Sequence, residues 1–259
     1  MSLNNGHYKE FKPYVFKFLM QYENFYKTMP TNSDHDWYKI FFGPLIIRDD
    51  KDKTAKNLKK IKVITFNYDR SLEYYLSNVL KINCFVTEND YTEVFKFLHE
   101  YLEIIHVYGR LPALINEDQF LQKTYSNIHT VDYGFFNIRN NLDIEYADRA
   151  IHAHSNTINF CYGNNEVNPR ISDIFKNESE VVYFLGFGFH ENNIKILNFE
   201  FGNHNFYIST GYNLNSSNVQ FVKNNYPQIL IARDCNIIDL LNKIYKFVDN
   251  EFEIGRLLI

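Results

Sequence analysis

Three short segments set polar or glycine-rich residues directly after apolar runs, the arrangement in which an α/β protein meets its ligands. The first is Thr65-Phe66-Asn67-Tyr68-Asp69, followed by Ser71-Leu72-Glu73. The Asn67 amide can both donate and accept, which suits a ribose or an amide ring substituent. Asp69 has a blander role open to it, accepting the free backbone N–H groups of the next helix. The second segment is His106-Val107-Tyr108-Gly109-Arg110-Leu111. An imidazole titrates near neutrality, so His106 is a candidate general base, although strand alternation also permits His106 and Tyr108 to be core residues on one face. The third is Leu185-Gly186-Phe187-Gly188-Phe189-His190-Glu191-Asn192-Asn193. Its glycines allow close backbone approach to a nucleotide, and the helix that follows favours anions at its start. The third glycine of a dinucleotide fingerprint is absent, so by itself this Gly-x-Gly equally fits a tight turn.

Other constellations are weaker. His152-Ala153-His154 with Cys161 supplies three candidate metal ligands and no evident fourth, short of a tetrahedral zinc set, and no metal is expected. The three cysteines, Cys84, Cys161 and Cys235, form no Cys-x-x-Cys pair. Their odd number fits a reducing cytosol, and a cytoplasmic location is expected. The chain has neither a serine nucleophile elbow nor a phosphate-loop lysine motif. A net charge of −4 argues against broad binding to nucleic-acid backbones, which needs clustered Lys and Arg. No apolar run approaches the roughly 20 residues of a membrane span.

The elements that must position these residues follow from periodicity. Phe11, Tyr14, Val15, Phe18, Leu19, Tyr22, Phe25 and Tyr26 recur at spacings of three and four, an aromatic helical stripe suited to packing, self-association or a partner protein. Pro30 and the polar residues after it end that helix. A charged stretch from Arg48 to Lys60 reads as a loop and a short surface helix. Apolar runs then alternate with helical patterns: strand Ile61–Phe66, helix Arg70–Leu80, strand Ile82–Val86, helix Tyr91–Tyr101, strand Ile104–Tyr108. Residues 112–169 read as a small, mainly helical insertion holding a strand at Asn156–Tyr162. Strand Val181–Gly186, helix Asn192–Phe199, strand Asn205–Ser209, helix Ser216–Tyr226, strand Ile229–Ala232 and helix Asn236–Asp249 complete the chain. This alternation predicts a single α/β domain with a Rossmann-like, open and mostly parallel sheet, helices on both faces, and the strand ends at one rim. Its helical N-terminal segment is 1–60, and its sheet core is 61–111 with 170–249.

In this order and at these separations, the three segments resemble the divergent bacterial sirtuin-like NAD-binding domains, often found in antiphage defence systems. The Ser209-Thr210-Gly211-Tyr212-Asn213-Leu214 turn and the Asp234-Cys235-Asn236 segment resemble later cofactor-side loops of that family. The similarity runs from about Lys62 to Leu241, and Thr-Phe-Asn-Tyr-Asp is its most specific part. The resemblance implies NAD as ligand or substrate, with no metal. If the domain is catalytic, it implies cleavage of the N-glycosidic bond to nicotinamide. By the same analogy Asn67 and Asp69 lie near the nicotinamide ribose, and His106 or Tyr108 at the base position. Thr65, Phe66, Gly109, Gly186, Phe187, Gly188, Asn193, Thr210 and Gly211 would then lie along the rest of the cofactor. Deacetylation is disfavoured, because the zinc-binding substrate module has no counterpart.

Two departures bear on activity. The family opens with a glycine-rich loop that cradles the pyrophosphate, and no such sequence precedes Asn67, so the chain is expected to be a fragment or a shortened relative. The family's histidine directly precedes glycine, and that place holds Tyr108, whose phenol, with a pKa near 10, is a poor base at neutral pH. Two functions are therefore carried forward: an NAD-binding domain with glycohydrolase activity in antiviral defence, and a non-catalytic nucleotide sensor or protein-interaction scaffold of the same fold.

Overall fold

The computed structural model describes residues 36–87, 91–111, 168–178, 181–198 and 206–246, together with Val15 and Ile158. The aromatic N-terminal stripe, apart from Val15, and nearly all of the 112–169 segment, with its His152, His154 and Cys161, lie outside them. The chain divides into two compact units. One takes its described residues from Met1–Asn32 and Phe42–Gly163, the other from Ser33–Phe41 and Asn164–Ile259.

A short helix, α1 (Trp37–Phe42), precedes the 3-10 turn Gly43–Leu45 of the first unit, which leads to α2 (Lys51–Leu58). Asp50 caps α2 by accepting the Lys53 N–H at 2.8 Å, one of the orphan donors at a helix start. Then come β1 (Lys62–Thr65), α3 (Ser71–Cys84), α4 (Thr92–Tyr101) and β2 (Glu103–His106). The two strands pair in parallel, Val63 opposite Ile104 and Thr65 opposite His106. Two parallel strands need a long crossover, and α3 with α4 provides it.

One expected strand is absent. Ile82–Val86 reads as alternating apolar residues, but α3 continues through Cys84. The burial pattern explains the outcome. Leu76, Leu80 and Cys84, spaced by four, face the core, whereas Ile82 and Val86 stand 63% and 66% exposed. A strand would have put Ile82, Cys84 and Val86 on one face. The helical face buries more apolar surface, so it wins.

The second unit holds α1 (Trp37–Phe41 within Trp37–Phe42), α5 (Pro169–Asp173) running into a π-helical turn at Ile174–Glu178, and β3 (Val181–Phe184). It continues with α6 (Glu191–Leu197), β4 (Phe206–Gly211), α7 (Ser216–Asn225), β5 (Ile229–Arg233) and α8 (Ile237–Lys246). Its sheet has the order β3-β4-β5, and both pairings are parallel. Ile208, Cys235, Leu240, Leu241 and Ile244 form a buried cluster, against which Trp37, Ile40 and Phe41 of α1 pack.

Both units are thus α/β, with parallel strands joined through helices, the class that the alternation implies. Strand ends differ from the expected ones by a few residues, and Tyr108 falls beyond β2 rather than inside it. Of Asn156–Tyr162, only Ile158 is described, in an isolated antiparallel bridge to Gly109. Among the described residues, no helix is long and apolar enough to cross a membrane.

The helical assignment of 82–84 has a measurable consequence. Leu80→Ala, at a fully buried position, is expected to cost about 2–5 kcal/mol. Ile82→Ser should stay within about 0.5 kcal/mol, as for other exposed sites. Urea denaturation followed by circular dichroism reads both; comparable losses at the two positions would contradict the helix.

Candidate functional site

Because β1 and β2 are parallel, their carboxyl ends lie side by side, and the residues after them form one rim. The turn leaving β1 is tied down almost group by group. Thr65 accepts through its carbonyl from the Val107 N–H at 2.9 Å, and the Asn67 N–H donates to Thr65 Oγ1 at 3.1 Å. The Tyr68 carbonyl accepts from the Leu111 N–H at 2.9 Å, and the Arg70 carbonyl from the Tyr74 N–H at 2.9 Å. Asp69 Oδ1 accepts the Ser71 N–H at 3.1 Å and also the Ser71 hydroxyl, the capping-type contact open to it from local chemistry.

Beneath the turn sits a buried charge cluster. Arg70 Nε donates to Glu73 Oε1 at 2.5 Å, and both side chains are almost wholly excluded from solvent. His106 Nε2 donates to the same Glu73 oxygen at 3.0 Å, while His106 Nδ1 donates to the Asn67 carbonyl at 2.9 Å. Arg70 Nη1 reaches the Leu111 carbonyl at 3.5 Å. Burial pushes the Glu73 carboxyl upward, but the Arg70 guanidinium and the His106 hydrogen bond outweigh it and hold the group at about 2. Glu73 Oε2 is buried and accepts no hydrogen bond among the described residues.

This geometry commits His106. A backbone carbonyl and an ionised carboxylate are both acceptors, so the ring satisfies both only with a proton on each nitrogen. In that state it has no lone pair with which to take a proton from a ribose hydroxyl. Tyr108 is buried, with its ring edge-on to Phe66 at 5.5 Å between centroids and tilted against Tyr68 at 6.3 Å. Gly109 closes the turn, its N–H donating to the His106 carbonyl at 3.1 Å. Asn67 is the exception on this rim. Its side chain is exposed, and its amide bonds to no described residue.

The remaining candidates belong to the second unit and form their own group. Gly186 has φ +66°, a left-handed conformation that suits glycine. Its N–H donates to Thr210 Oγ1 at 2.9 Å, and that hydroxyl donates in turn to the Phe184 carbonyl at 3.3 Å. Thr210 therefore spends its donor and one lone pair on holding the turn after β3. Gly211 is required by packing, since a Cβ there would stand 2.7 Å from the Ala232 carbonyl oxygen on the neighbouring strand. Phe187 packs T-shaped on Phe189 at 4.9 Å, and the Gly188 carbonyl accepts from Asn218 Nδ2 at 2.7 Å. Asn193 is half-buried in the first turn of α6. Among the described residues, no group of three or more His, Cys, Asp or Glu side chains could hold a metal ion.

Comparison of the chain with protein-family models, with curated proteins and with solved structures returned no match.

Arg70 and Glu73 were not singled out from sequence, though a signal was there. Glu73 falls three and seven residues before Leu76 and Leu80, on the buried face of α3. A carboxylate on an apolar stripe needs a cationic partner, and Arg70 stands one turn earlier.

Two outcomes are expected. Glu73→Ala removes the carboxylate beside the buried Arg70 guanidinium and should cost about 3–5 kcal/mol, read by denaturant unfolding. Glu73 also sets an acid limb. Its folded pKa, about 2, lies below the ordinary 4.5, so its stabilisation is full above that ordinary value and is lost as pH falls toward 2. Unfolding curves between pH 6 and 2 should show this loss in the wild type and a shallower one in Glu73→Gln.

Proposed function

We propose that this chain is a nucleotide-binding domain of the sirtuin-like type, and that it binds NAD through the rim after β1 and β2. The observation that carries the reading is the exposed Asn67 amide. It stands at the carboxyl ends of two parallel strands, on a turn whose backbone is anchored on every side. Ligands of α/β folds gather at such rims, and an amide fixed by its own backbone loses little entropy on binding. The Thr-Phe-Asn-Tyr-Asp segment supplies both that amide and the resemblance.

Binding without turnover is the form of the reading favoured here. Both His106 nitrogens are engaged, and the Tyr108 ring is buried in aromatic packing. Neither is placed to accept a proton from a sugar hydroxyl, and loss of general-base catalysis alone removes about 10²–10⁴-fold in rate. Glycosidic cleavage of NAD in antiviral defence is the second reading, and it requires His106 to leave one of its two partners.

Calorimetric titration with NAD, beside an assay for nicotinamide release, tests both. Wild-type chain should bind NAD, and Asn67→Ala should bind about 5-fold or more weakly, the worth of one hydrogen bond of about 1 kcal/mol. Nicotinamide release should stay at background. Equal affinity in the two proteins would remove Asn67 from the site, and turnover abolished by Asn67→Ala would establish the hydrolase.

A further inference from the structure

We infer that Glu73 is a positioning residue, which acts through His106 to hold the Asn67 turn in the shape that presents its amide; the ligand side of this inference rests on the NAD-binding reading above. The relay is continuous on the page. Arg70 fixes the Glu73 carboxylate at 2.5 Å, Glu73 Oε1 takes His106 Nε2 at 3.0 Å, and His106 Nδ1 takes the Asn67 carbonyl at 2.9 Å. The relay spans three elements: α3 supplies Arg70 at its cap and Glu73 in its first turn, β2 ends at His106, and the turn after β1 carries Asn67.

The chemistry of each group narrows what it does. Asn67 O is met by a side chain from the neighbouring strand, so His106 ties the two strand ends together beyond the last ladder bond. The imidazole must offer a donor from each nitrogen, because each faces an acceptor. An ionised carboxylate is the stronger acceptor for Nε2–H, and a neutral amide in its place would hold the ring more weakly. His106 thus serves as a clamp whose grip is set by Glu73. A buried ion pair is costly to assemble and is not by itself a source of stability. Here its geometry is directed at one exposed amide, whose side chain is left unpartnered among the described residues.

The test uses the full chain and two independent readouts. In the free protein, nitrogen and amide NMR signals should show both His106 ring protons in the wild type. In Glu73→Gln, the Nε2–H signal should shift and exchange with water faster, because its charge-assisted bond is replaced by a weaker neutral one. The backbone amides of Asn67, Tyr68 and Asp69 should then shift and exchange at least 10-fold faster, while those of Gly211 and Tyr212 in the other unit stay unchanged. A general loss of stability would not confine the change to that turn. In NAD titrations, Glu73→Gln should weaken binding about 5-fold or more on the wild-type background and less than 2-fold on Asn67→Ala, the coupling expected if Glu73 acts through Asn67. His106→Phe, which leaves the Arg70–Glu73 pair intact, should release the same three amides, and it decides the matter if Glu73→Gln does not fold. Unmoved amides at 67–69, or an affinity loss equal with and without Asn67, would overturn the inference. Absence of NAD binding in every protein would overturn the ligand reading, and the NMR result would then judge the positioning role alone.

Discussion

A carboxylate buried in the first turn of a helix has to be compensated, and much of the first unit is organised around doing so. Glu73 lies on the core-facing side of α3, where solvent cannot stabilise its charge. Arg70 supplies the countercharge from the cap of the same helix, and His106 supplies a second donor from the end of β2. Arg70 also reaches the Leu111 carbonyl, so the cluster ties together the start of α3, the end of β2 and the segment beyond it. Such a network is costly to form and costlier to leave incomplete. Its members are therefore interdependent, and the shape of the strand-end turn is inherited from their mutual satisfaction.

The same accounting separates the residues that hold the rim from those that face solvent. Asp69 is engaged by Ser71, His106 by Glu73 and Asn67, and Tyr108 by neighbouring rings. Each was a candidate for chemistry by residue type, and each has a structural occupation in the folded chain. Asn67 combines an anchored backbone with an unengaged side chain, which is the condition under which a polar group recognises a ligand at low entropic cost. In the second unit, Thr210 and Gly186 form a similar self-contained arrangement, and Gly211 answers to the close approach of β5.

Local order was legible from the sequence where the pattern was local. The alternation of apolar strands with helices defined the α/β class, and the helices 92–101, 216–225 and 237–246 lie within a few residues of their expected bounds. The α/β reading holds because hydrophobic period is a property of neighbouring residues. The exception, Ile82–Val86, shows the limit of that signal. A short apolar run satisfies both periods, and the choice was made by which face of α3 met the core, information that five residues do not contain.

The sequence by itself determined the alternation of strands and helices outside 82–86, the polar residues that end each strand, and Tyr108 in front of Gly109. Only the tertiary structure decided what those residues do. His106 and Glu73 are 33 positions apart, so no spacing rule joins them. Their contact exists because β2 pairs in parallel with β1 and so ends against the first turn of α3. The need for glycine at 211 likewise arises from the carbonyl of Ala232 on the next strand. Hydrogen-bond partners and steric limits of this kind are set by through-space packing, and a linear pattern records the residues while leaving their pairing to the fold.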